Sequence, residues 1–167
     1  MALVLRKQDE GRHGIEFPPA VSSRRSAVVC ARLSRVAFAA EIISPVPGKR
    51  VALSSYDPVS YFVNGRPEKG ARSHWFAFGD AVYLFSSAKH RTAFAADPEH
   101  YAPQYEAYCT IRMSMSERAE ADPEAWTIMN GKLYVFRSKN GVARFRNNSA
   151  EFVRNADAAW HAQRLAR

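Results

Sequence analysis

Tyr56-Asp57-Pro58-Val59-Ser60-Tyr61-Phe62, then an aromatic stretch around Gly79-Asp80, then Tyr101-Ala102-Pro103-Gln104-Tyr105-Glu106-Ala107-Tyr108-Cys109, is the part of the chain that decides its fold. Asp57-Pro58 reads as a helix entrance. An Asp carboxylate accepts from orphan amides of a first turn, and Pro at the first helical position gives up no hydrogen bond. Asp97-Pro98 and Asp122-Pro123 repeat the signal, so helices are expected over 58–62 and 98–104, with a helical turn near Glu124. Residues 75–78 and 82–85 flank Gly79-Asp80 as one hairpin. Residues 126–129 and 133–136 flank Asn130-Gly131 as another, with the dipeptide a type I′ turn favours.

Working outward, Ser87 is placed to cap a helix ending near Ala96, and 106–115 is expected to be helical. Phe152, Val153, Ala156, Ala159 and Trp160 recur at helical spacing, so the tail from 149 should dock on the core. The expected fold class is α+β, with small antiparallel β-hairpins packed against short helices and a C-terminal helix. A hairpin followed by a helix, twice, hints at an internal repeat, but residue identities between the two are too sparse to establish it from sequence.

The 167 residues suit one domain plus an extension. Residues 1–48, rich in Arg, Ser and Pro and closed by Pro45-Val46-Pro47-Gly48, read as a basic leader or disordered extension, and 49–167 as the domain. The net charge of +8 is unevenly spread: residues 1–50 hold nine Lys/Arg against four Asp/Glu, and the remainder fifteen against twelve. A nearly balanced body argues against nucleic acid as a partner, because phosphates must be met by cations on the folded part. No run of 18 apolar residues suggests a transmembrane helix. The stretch 26–43 imitates a signal peptide but is broken by Arg32 and Arg35. A periplasmic or exported location follows if it is one, and a cytoplasmic location otherwise. Cys30 and Cys109 are too few for a disulfide framework.

Residues 49–160 resemble the YHS domain family, in its exported bacterial branch. The resemblance rests on Leu53-Ser54-Ser55-Tyr56-Asp57-Pro58-Val59, Tyr83-Leu84-Phe85-Ser86-Ser87, Asp97-Pro98-Glu99-His100-Tyr101, Asp122-Pro123-Glu124-Ala125-Trp126 and Gly131-Lys132-Leu133-Tyr134, in that order. It implies a small module associated with metal handling. In metal-handling relatives three cysteines occupy positions that here hold Ser60, Ser86 and His90, and serine is a poor ligand for copper or zinc. The same branch carries two glycines before Tyr-Cys. Glu106 and Ala107 stand there in this chain and favour helix instead.

Cys109 and His90 are the best candidates for metal ligands, with His74 and His100 read as surface residues. For Cys109, which follows Tyr101, Tyr105 and Tyr108, two readings stay open. It is either a soft ligand or reactive thiol with Arg112 nearby, or a small buried hydrophobe. Nine of the twenty aromatic residues fall between Trp75 and Tyr108, which fits a core or an apolar small-molecule pocket. No phosphate loop, His-Glu-x-x-His or nucleophile elbow occurs. The functional expectation is a non-catalytic YHS-like module that binds a copper or zinc ion, or serves a metal or redox system. The alternative is a structural or protein-interaction module with a decayed metal site.

Overall fold

The structure, a computed structural model, describes residues 44–166. The expectations for the leader and for Cys30 lie outside them. The chain runs β1 (Arg50–Val51), α1 (Pro58–Val63), β2 (Ala71–Phe78), β3 (Ala81–Phe85), α2 (Ala88–Ala96), α3 (Pro98–Tyr101), α4 (Thr110–Met113), β4 (Asp122–Met129), β5 (Lys132–Phe136), α5 (Lys139–Asn147) and α6 (Ser149–Leu165). This is an α+β fold with one sheet of three strands, ordered β1-β3-β2, and one of two, β4-β5.

Both hairpins form where their turn residues allow. The two-residue turn between β4 and β5 has positive φ at Asn130 and Gly131, +52° and +73°, as a type I′ turn requires. Ser87 accepts from the His90 amide and Ser138 from the Gly141 amide, so each hairpin feeds a capped nine-residue helix.

Three helical expectations need correction. Asp122 does accept from the Glu124 amide, but 122–129 is a strand paired with β5. The register breaks between Asp122 and Trp126, and that irregularity accommodates Pro123, which has no amide hydrogen to give. The helix expected over 98–104 stops at Tyr101, because Ala102 precedes Pro103 and is held extended. The helix expected over 106–115 is only Thr110–Met113.

The cause of this last break also overturns the reading of Glu106 and Ala107. Tyr105, Glu106 and Ala107 have φ of +56°, +53° and +67°, a single left-handed turn closed by the Tyr108 amide on the Tyr105 carbonyl. Left-handed geometry costs an L-residue roughly 1–2 kcal/mol. The backbone therefore keeps a conformation suited to glycine although both side chains disfavour it.

The same turn occurs earlier. Leu53, Ser54 and Ser55 have φ of +55°, +49° and +70°, closed by Tyr56 on Leu53. From there the two halves correspond element by element. Tyr56 bridges Lys69 as Tyr108 bridges Glu120, and Asp57 donates to Glu68 as Cys109 donates to Ala119. The ladder irregularity at Ala71/Trp75 recurs at Asp122/Trp126. Phe94 of α2 meets Tyr83 and Phe85 at 5.1 Å each, with interplanar angles of 35° and 54°. Phe145 of α5 meets Tyr134 and Phe136 at 5.1 and 5.0 Å, with 35° and 51°. The internal repeat only hinted at by sequence is thus a structural fact, and five of the aromatic residues between Trp75 and Tyr108, namely Phe76, Phe78, Tyr83, Phe85 and Phe94, form the first ring cluster.

One element is not duplicated. β1 pairs in parallel with β3, whereas the corresponding residues of the second half are Ala102 and Pro103. Proline cannot donate to a ladder, so β5 gains no third strand there. β3 becomes a central strand buried along its whole length. The C-terminal stripe docks as expected, with Ala156 fully buried and Phe152, Val153, Ala159 and Trp160 packed on the core.

Candidate functional site: a buried carboxylate at the first repeat

Asp57 sits at the start of α1 and is wholly buried. One carboxylate oxygen, Oδ1, takes the Val59 amide at 2.9 Å and caps the helix. The other, Oδ2, receives three donors: the Ser86 amide at 2.9 Å, Ser86 Oγ at 2.7 Å and His90 Nδ1 at 2.6 Å. Ser60 completes the cluster, donating from Oγ to the Asp57 carbonyl at 2.7 Å while accepting the Glu68 amide at 3.2 Å. Local sequence sets each position separately, the cap of α1, the residue after β3 and the first turn of α2. Only the fold adds the third dimension.

A buried carboxylate is costly unless its lone pairs are occupied, and here they are. Nδ1 of His90 must carry a proton to donate to the carboxylate oxygen. The His90 side chain is 13% exposed. Ser86 and Asp57 both approach the same ring nitrogen, 3.2 and 2.6 Å from Nδ1. A charge relay needs the acid and the nucleophile on opposite nitrogens, so the three residues are not a hydrolytic triad despite their identities.

The remaining candidates go elsewhere. Cys109 is a free, buried cysteine at the start of α4, the second repeat's counterpart of Asp57. No described hydrogen bond or ion pair joins it to His90. Arg112 is engaged by Glu117. His100 is exposed and lies against the Phe62 and Tyr101 rings, at 4.9 and 4.6 Å, and His74 is half-buried on β2. Among the described residues no three His, Cys, Asp or Glu side chains converge so as to hold a metal ion. A soft ion finds one imidazole nitrogen at the first repeat, an acid whose oxygens are already taken, and a thiol in the other repeat. The donor set does not fit copper or zinc.

Asp57 is the residue that reading the sequence undervalued. Its cap role is visible locally, but the reach of Oδ2 to Ser86 and His90 spans β2 and β3 and leaves no local pattern. Glu106 was undervalued too: its carboxylate holds the β2–β3 turn by accepting the Asp80 amide at 2.9 Å. Burial pushes its pKa up, opposed by Arg50, Arg164, Arg118 and Lys49. No helix among the described residues is long and apolar enough to cross a membrane. Comparison with family models, curated proteins and solved structures finds no match.

Proposed function

We propose that this chain is a non-catalytic module of two YHS-like repeats, in which the metal-ligand positions of the first repeat form an internal polar lock. The module then serves a structural or protein-interaction role. One observation carries this reading. Ser60, Ser86 and His90, the three residues standing where the resemblance places cysteines, converge on one residue, Asp57. That convergence supports the resemblance, since Ser60 lies well before Ser86 and His90 in the sequence and meets them at one residue. It also supports loss of the ion, because Ser86 and His90 both bond the buried Asp57 carboxylate while Ser60 bonds its backbone carbonyl.

Thermal unfolding of the full chain tests it. A ligand that binds only the native state raises stability by mass action. The expected result is the same melting temperature in chelator, in stoichiometric Zn(II) and in Cu(I) under reductant. A metal-dependent rise that disappears in His90→Ala or Cys109→Ser restores the copper or zinc reading.

A further inference from the structure

The repeats meet along a cleft of about 700 Å³. The first repeat supplies Phe78, Tyr83 and Glu99, and the second supplies the segment 102–106, Lys132, Trp160 and Arg164. Tyr83 stands out among them. It is 1% exposed, and its hydroxyl has no hydrogen-bond partner. Buried polar groups are almost always paired, so an orphaned hydroxyl in the wall of a cleft asks for a missing acceptor. Burial, with the Glu106 carboxylate adding to it, pushes the phenol pKa upward, so the group is a neutral donor.

The walls indicate what the acceptor belongs to. Phe78, Tyr105 and Trp160 offer ring surface, as an apolar planar body requires. Glu106 has four cations in its field, Arg50, Arg164, Arg118 and Lys49, of which Arg50 also pairs with Glu120. With Lys132 at the mouth as well, the cations around the cleft outnumber its two lining acids, Glu99 and Glu106. We propose that this cleft binds a small aromatic carboxylate, its ring beside Trp160, an oxygen accepting from Tyr83 and its charge held by Lys132 and Arg164. Because the hydroxyl is sealed from water, Glu106, whose charge acts on it, is the side chain that yields as the ligand enters. This site is independent of the Asp57 network, so either proposal can fail alone.

Saturation-transfer NMR on the full chain, with benzoate as the probe and benzylamine and benzyl alcohol as controls, tests it. Benzoate is expected to bind with a Kd of about 1 mM or tighter, at least ~10-fold ahead of both controls. Tyr83→Phe should weaken benzoate about fivefold, the scale of one lost hydrogen bond, while leaving the ligand-free protein as stable or more so, since it deletes an unpaired hydroxyl. Arg164→Gln, at an exposed position, should weaken binding without altering the fold, and His90→Ala should leave it unchanged. No transfer from benzoate at ~10 mM, equal binding of benzylamine, or unchanged affinity in Tyr83→Phe overturns the proposal.

Discussion

The two repeats share a backbone and differ in what they do with its most buried polar place. In the first, Asp57 receives His90 and Ser86. In the second, Cys109 stands for Asp57 and Gly141 for His90. A Cβ added at Gly141 would lie 3.1 Å from Phe136 Cβ and 3.7 Å from Ile111 Cδ1, so the space that His90 fills in one repeat is closed by apolar packing in the other. The polar solution needs every lone pair occupied. The apolar one needs only volume. One backbone therefore carries a hydrogen-bonded lock and a plain hydrophobic contact at equivalent points, and only the first makes the structure depend on specific residue types.

The largest effect that follows is an asymmetry. Asp57→Ala should cost about 3–5 kcal/mol, because it strips a half-buried imidazole and hydroxyl of their shared acceptor. Cys109→Ala, at the equivalent place, should cost only ~1 kcal/mol, the loss of a small apolar volume. Urea unfolding of both variants checks this, and similar losses in the two would break the comparison.

A smaller effect concerns the left-handed turns. Ala107, at φ +67°, corresponds to Ser55 at +70°. Ala107→Gly should stabilise by roughly 1 kcal/mol, since glycine relieves the steric penalty while adding some unfolded-state freedom. A loss of stability on urea unfolding would show that the Ala107 methyl contributes more to the core than its backbone costs. The smallest is at Gly141. Gly→Ala inside a helix normally gains about 1 kcal/mol, but the tight approach to Phe136 should cancel that, leaving a melting temperature unchanged or lower. A clear rise would mean that the second repeat still has room for a side chain there.

Much of this was legible in the residues. Asn130-Gly131 and Gly79 placed the hairpins, Ser87 and Asp57 capped helices where expected, and the spacing from Phe152 to Trp160 marked a docked helix. The failures share a cause: tertiary pairing overrode local preference. Asp122-Pro123 carries a helix-start signal, and β5 pairing made it a strand. Glu106 and Ala107 prefer helix, and the repeat's backbone held them left-handed. The repeat itself was hidden because equivalent places hold unlike residues, Asp57 against Cys109 and His90 against Gly141, while the conserved feature is conformational. The candidate site was half legible. His90 was singled out, but paired with Cys109 by residue chemistry, whereas the fold pairs it with Asp57.

The central claim, that Asp57 and His90 form a stabilising lock within the first repeat, is tested most directly by a double-mutant cycle on Asp57→Ala and His90→Ala followed by urea unfolding. A coupling of about 1–3 kcal/mol is expected, as befits contacting groups that share a buried charge. Single losses that add to within about 0.5 kcal/mol would contradict it, since uncoupled residues cannot be a lock.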